Sequence, residues 1–95
     1  MARQMFINEM ERKLREFDEK LERLAARPEP KSERGRLERV KTQLHLRASK
    51  AELAERLRQA LHTPDEGWHE FMDSMRRMYE NMARHVDGSA ASEEE

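Results

Sequence analysis

The sequence predicts an all-α fold of three helices, an antiparallel coiled-coil hairpin followed by a third amphipathic helix, and three observations support this prediction. Helix-favouring residues dominate the 95-residue chain, whereas glycine and proline number three each. Apolar residues recur at helical spacing in three segments, and prolines near positions 29 and 64 separate those segments. We expect one domain over residues 1–88, followed by a disordered acidic tail over residues 89–95. The expected helices cover about residues 3–26, 32–62 and 64–87.

The composition limits the kind of core and the class of protein. Charged residues make up 41% of the chain and apolar residues 36%, which favours thin helical layers with narrow apolar seams over a thick core. The chain has no cysteine, so disulfides, thiolate metal sites and a cysteine nucleophile are excluded. Neither a secretory signal nor a run of about 18 apolar residues is recognisable. We therefore expect a cytoplasmic protein.

The charge is distributed unevenly along the chain. Residues 1–26 carry six basic and six acidic side chains, and residues 27–62 carry ten basic and five acidic. Residues 63–95 carry three basic and nine acidic side chains. The middle and the end are therefore oppositely charged, which favours attraction between them, within one chain or between two. An external polyanion is the alternative target of the basic segment.

The first helix carries one apolar seam. Its residues follow the 3-4-3-4-3 spacing of the a and d positions of a heptad repeat, which predicts packing along one face. Pro28 disfavours the helical conformation at Arg27 and predicts where the helix ends. The seam consists of Ile7, Met10, Leu14, Phe17, Leu21 and Leu24.

The second helix carries apolar residues on two opposite sides. Ser32 is its expected N-cap, and Gly35 weakens its first turn. Two stripes predict two helical neighbours on opposite sides, hence a flat or staggered arrangement rather than a compact bundle. The first stripe is Leu37, Val40, Leu44, Ala48 and Ala51, and the second is Leu46, Leu53, Leu57 and Leu61.

Chain reversals suggest which residues pair. A reversal at residues 28–30 sets the first helix against the first stripe, and a reversal near residue 64 sets the third helix against the second stripe. The first register pairs Leu21 with Leu37, Phe17 with Val40 or Lys41, Leu14 with Leu44, Met10 with Ala48 and Ile7 with Ala51. The second pairs Leu61 with Trp68, Leu57 with Met72, Leu53 with Met75 or Arg76, and Leu46 with Met82 or Ala83.

The third helix has the clearest start signal of the chain. Thr63 is a capping residue, Pro64 suits the first helical position, and Glu66 completes a capping box. Gly88 is the expected stop. This helix has more large apolar residues than the facing stripe, so the surplus needs a second copy of the chain or a fold-back onto the first helix. Its apolar residues are Trp68, Phe71, Met72, Met75, Met78, Tyr79, Met82 and Val86.

These patterns indicate a non-enzymatic interaction module that self-associates as a homodimer. One alternative is an adaptor that binds a different helical protein through the methionine-rich face of the third helix, because methionine adapts to varied partners. A membrane surface is disfavoured, since acidic and basic residues are mixed on the polar face of that helix. The expected interface consists of Leu46, Leu53, Leu57, Trp68, Phe71, Met75, Met78 and Met82.

A second alternative is a nucleic-acid binder that uses the basic tip of the hairpin. Acidic residues interrupt that cluster and no aromatic residue accompanies it, so the sequence favours a solvated helix end. His69 and Asp73 read as a surface pair, and no metal, cofactor or catalytic site is predicted. The basic cluster consists of Arg27, Lys31, Arg34, Arg36, Arg39 and Lys41.

The segments Leu14–Leu24, Ala51–Leu61 and Trp68–Met82 together resemble small bacterial coiled-coil proteins of uncharacterised function. The resemblance covers residues 5–86 and implies a charged helical hairpin followed by an amphipathic helix led by a tryptophan. It implies no catalytic residue. The chain departs from this pattern in its methionine-rich last helix, where such proteins more often have alanine and leucine.

Overall fold

The chain folds into three helices joined by short connections. A computed structural model describes the backbone of residues 3–94 and the side chains of residues 3–88. Helix α1 is Arg3–Ala25, α2 is Glu33–Arg58 and α3 is Asp65–Glu94, with a 3₁₀ turn, Gln59–His62, between α2 and α3. The described residues contain no strand, so the predicted all-α, three-helix fold is confirmed. None of their helices combines the length and apolar character that crossing a membrane requires.

All three helices turn one face toward a single shared core. The molecule measures 51 × 18 × 18 Å, the dimensions of an elongated bundle. The flat arrangement predicted from the two stripes of α2 is therefore wrong, because both neighbours of α2 pack on the same side of it. The buried residues are Phe6, Ile7, Met10, Leu14, Phe17, Leu21, Leu24, Leu46, Leu53, Leu57, Ala60, Met75, Met82 and Val86.

The first predicted register, between α1 and the first stripe of α2, is also wrong. Leu37, Val40 and Leu44 are 54%, 52% and 62% exposed. Asp18 Oδ1 lies 2.5 Å from Lys50 Nζ, whereas the predicted register places residue 40 opposite Asp18. The seam of α1 packs into the core that the second stripe of α2 also enters, because one face of α2 can then serve both neighbours.

The second predicted register agrees with the structure at the end where Leu46 and Met82 lie. The rings of His45 and His85 are 5.0 Å apart, and Leu46 and Met82 line the same groove between α2 and α3. The predicted pair of Leu61 and Trp68 is wrong, since Leu61 is 67% exposed. The α-helix ends at Arg58, and the 3₁₀ turn that follows brings Ala60 into the core instead.

Three further predictions concern where the helices begin and end. Ser32 caps α2 as expected, with its Oγ accepting a hydrogen bond from the Gly35 amide at 2.9 Å. Helix α3 begins at Asp65, so the predicted start, with Thr63 as the cap and Pro64 as the first helical residue, is wrong by one position. The Thr63 hydroxyl instead donates to the carbonyl of Gln59 at 3.1 Å. Gly88 does not end α3, because its backbone continues the helix without a positive φ. The backbone of the predicted tail, residues 89–95, continues α3 as far as Glu94, and its side chains and residue 95 lie outside the described part.

Candidate interaction surface on helix α2

The outer face of α2 carries an apolar stripe that no other part of the described chain covers. We call Leu37, Val40, Leu44, Ala48 and Ala51 the outer stripe. All five are exposed, and at 3.6 residues per turn they lie on one face of α2, opposite its buried residues. Single exposed apolar residues are normal on protein surfaces, but a continuous row along one helix face is typical of a contact surface.

Charged side chains flank the outer stripe unevenly along its length. The exposed charged residues beside its first half are mostly basic: Glu33, Arg34, Arg36 and Lys41. Those beside its second half are mixed: Arg47, Glu52, Glu55 and Arg58. The first half of the stripe is therefore more basic than the second.

Each glutamate of the second half also has a neighbour on its own helix. Glu52 pairs with Arg56 at 3.4 Å, and Glu55 pairs with Arg58. These pairs are one helical turn apart and solvent-exposed, so they contribute only a few tenths of a kcal/mol. They leave both carboxylates accessible to a further cation.

The eight residues predicted to form the interface lie in or against the core of the single chain. Leu46, Leu53, Leu57, Met75 and Met82 are buried. The remaining three are partly buried and pack against that core: Trp68, Phe71 and Met78. That they join two copies stays a prediction.

The surplus apolar surface of α3 is covered by a fold-back onto α1, the second of the two arrangements that the sequence allowed. Phe6 meets the Trp68 ring edge-on at 5.5 Å, and Phe17 meets Tyr79 at 6.4 Å. Of the methionines on this helix, Met75 and Met82 are buried, and Met72 and Met78 pack against the core of the same chain.

Arg3 ties the start of α1 to the connection between α2 and α3. Its guanidinium donates to the Ala60 carbonyl and to Asp65 Oδ1, both at 2.7 Å, and lies 4.5 Å from the centre of the Trp68 ring. The buried Trp68 Nε1–H has no hydrogen-bond partner among the described residues. Sequence reasoning missed Arg3, since no spacing rule connects it to residues nearly sixty positions away.

The basic cluster at the hairpin tip is partly used inside the fold. Arg39 donates to three carbonyls, those of Leu24 at 3.0 Å, Arg27 at 3.0 Å and Pro28 at 3.1 Å. Those carbonyls belong to the last turn of α1 and the connection after it, so Arg39 acts as a C-terminal cap. Its guanidinium therefore links α2 to the end of α1 and to the connection between the two helices.

His69 contacts a carboxylate one turn away on its own helix. His69 Nε2 lies 3.4 Å from Asp73 Oδ2, which confirms the predicted surface pair. Across the residues whose positions are described, no group of three His, Cys, Asp or Glu side chains is arranged to hold a metal ion.

The phenol of Tyr79 has a raised pKa. Partial burial raises the pKa of its phenol above 10.0, and the negative charges of Glu16 and Asp87 raise that pKa further. The cause is packing of α3 against α1, so the shift reports on the bundle rather than on a reactive centre.

Comparison with known proteins gives no relative for this chain: no family model, no curated protein and no solved structure matches it.

Proposed function

We propose that this protein is a non-enzymatic helical interaction module that self-associates through the outer stripe of α2. The observation that carries the proposal is the exposure of Leu37, Val40 and Leu44, each more than half exposed on the same helix face. Removing apolar surface from water is favourable by about 25 cal/mol per Å². A partner that covers this row gains that free energy, and a helix with a matching row is the simplest cover.

A second copy of the chain is the proposed partner because every copy supplies a matching row. Closed dimers in which both copies use the same surface are the most common protein oligomers. Leu37, Val40 and Leu44 are exposed on the side of α2 opposite its buried residues, so a second bundle can approach them without displacing α1 or α3. Ala51 is exposed as well, but it also lines the groove between α1 and α2. The proposed interface is therefore the outer stripe, and the core residues of α2 and α3 serve folding.

Solution mass across a range of concentrations tests the proposal. We expect light scattering to approach twice the 11.4 kDa of one chain as concentration rises. Leu44→Glu should hold the protein at the monomer mass without unfolding it, because Leu44 is exposed in the single chain. Gln4→Glu, which adds the same charge at an exposed position on α1, is the matched control and should still associate. A monomer at every concentration would refute the proposal.

A further inference from the structure

We infer that two copies pair through their α2 helices in antiparallel orientation, with Leu44 on the two-fold axis. The inference rests on the proposed self-association and adds the orientation and register of the partner. The outer stripe follows a 3-4-4-3 spacing centred on Leu44, which reads the same in both directions. A row with this symmetry can face a reversed copy of itself with every position matched, as an interface with identical surfaces requires.

Side-chain size supports the antiparallel register. With Leu44 facing Leu44, Leu37 of one copy lies opposite Ala51 of the other, and Val40 lies opposite Ala48. Each large residue except the central Leu44, which meets its own copy, then meets a small one, so the bulk of the side chains is distributed symmetrically about the centre. A parallel pair would set leucine against leucine at one end and alanine against alanine at the other. It would leave a gap beside Ala48 and Ala51, and gaps forfeit packing contacts.

The flanking charges include one attractive contact that favours the same orientation. Residues on the same flank of two antiparallel helices face each other, and this places Arg34 of one copy near Glu52 and Glu55 of the second. Two-fold symmetry repeats that contact at the other end of the interface.

The other flanking charges separate the two orientations less clearly. Glu33 lies opposite Glu55 in the antiparallel pair and opposite its own copy in a parallel pair, so it meets a like charge in both. A parallel pair would bring Arg36 of one copy toward Lys41 of the other, a repulsion, and by the same offset Arg47 toward Glu52, an attraction. The contact of Arg34 is therefore the charge contact that distinguishes the antiparallel pair.

Cysteine cross-linking separates the two orientations, because the chain has no cysteine of its own. Leu44→Cys should form a disulfide between position 44 of one copy and position 44 of the second copy. Leu37→Cys alone and Ala51→Cys alone should not, since equivalent positions lie about 21 Å apart in the antiparallel pair. An equimolar mixture of those two variants should form the mixed dimer, which intact mass identifies.

The cross-linking experiment has a control for random collision, and two different results would contradict the antiparallel pair. Glu19→Cys, on the exposed side of α1, gives the rate of random collision. The expected cross-links should form at least about tenfold faster than that background, because association raises the local thiol concentration. Rapid cross-linking of Leu37→Cys and of Ala51→Cys, each by itself, would show a parallel pair and overturn this inference alone. If every cysteine variant cross-linked only at the rate of Glu19→Cys, and the unmodified chain had the mass of a monomer, the proposed self-association would be overturned as well.

Discussion

At the scale of single residues, Gly35 is required by the close approach of the connection before α2. A Cβ at this position would lie 2.9 Å from the Pro30 Cβ and 3.0 Å from the Ser32 Oγ that caps the helix. Gly67, in the first turn of α3, has no such neighbour within 4 Å. The same substitution at these two positions should therefore have opposite effects.

We expect Gly35→Ala to lower the free energy of unfolding and Gly67→Ala to raise it. Overpacking costs about 1–3 kcal/mol, which exceeds the gain of about 1 kcal/mol from replacing a helical glycine by alanine. At Gly67 an added Cβ meets no neighbour, so only the gain in helix stability remains. Urea unfolding followed by fluorescence of Trp68, the single tryptophan, measures both values. Equal stabilisation by the two variants would contradict the close approach.

Arg39 is the second residue whose chemistry is specific. Its planar guanidinium reaches the Leu24, Arg27 and Pro28 carbonyls together, whereas a lysine ammonium cannot span all three. We expect Arg39→Lys to lower the free energy of unfolding by about 1–3 kcal/mol, the usual value of charge-assisted hydrogen bonds. Arg36→Lys, at an exposed position of the same helix, is the control and should be nearly neutral. A neutral Arg39→Lys variant would show that the tip does not depend on this cap.

Tyr79 should make the fold sensitive to alkaline pH. Because its folded pKa is raised above 10.0, the folded state retains the phenolic proton longer than the unfolded state does. The contribution of the neutral phenol to the free energy of unfolding is fully present below pH 10 and is lost as pH rises through the folded pKa. We expect Tyr79→Phe to flatten the fall in urea midpoint between pH 9 and pH 11. An unchanged slope would mean that phenol ionisation does not affect stability.

At the scale of elements, the two stripes of α2 should respond differently to the same truncation. Leu53 is fully buried, and Leu53→Ala should cost about 2–5 kcal/mol of unfolding free energy. Leu44 is 62% exposed, and Leu44→Ala should change that free energy by less than about 0.5 kcal/mol in a dilute monomer. Thermal unfolding at low concentration measures both. A large cost at Leu44 in the monomer would place the outer stripe in the core.

The same helix shows how far the sequence can predict this fold. The seams of α1 and α3 each have one apolar face, so periodicity alone identified the faces that enter the core. It missed Phe6, which is fully buried beside the seam of α1. Helix α2 has two faces, and periodicity does not say which one enters the core. The choice depends on the shared packing of three helices: Leu53 and Leu57 can meet α1 and α3 together, and this leaves Leu44 outside.

At the scale of the whole molecule, the proposed dimer has a characteristic shape. One copy is a rod 51 Å long with a Cα radius of gyration of 15.6 Å. The squared radius of gyration of a dimer is that of one copy plus the square of half the distance between centres. Two rods 18 Å wide that pair side by side through α2 should therefore have a radius of gyration of about 18–20 Å, whereas rods joined end to end would reach about 30 Å.

Small-angle X-ray scattering of the associated protein distinguishes these shapes. The outer stripe lies along the flank of the rod, so growth in width with little growth in length is the expected result. The basic tip lies at an end of the rod, and association through it would lengthen the particle instead. Leu44→Glu provides the reference curve of one copy, because its substitution should remove the interface and leave the bundle intact. A radius near that of two rods end to end would exclude the outer stripe as the surface that joins them, even if light scattering had shown a dimer.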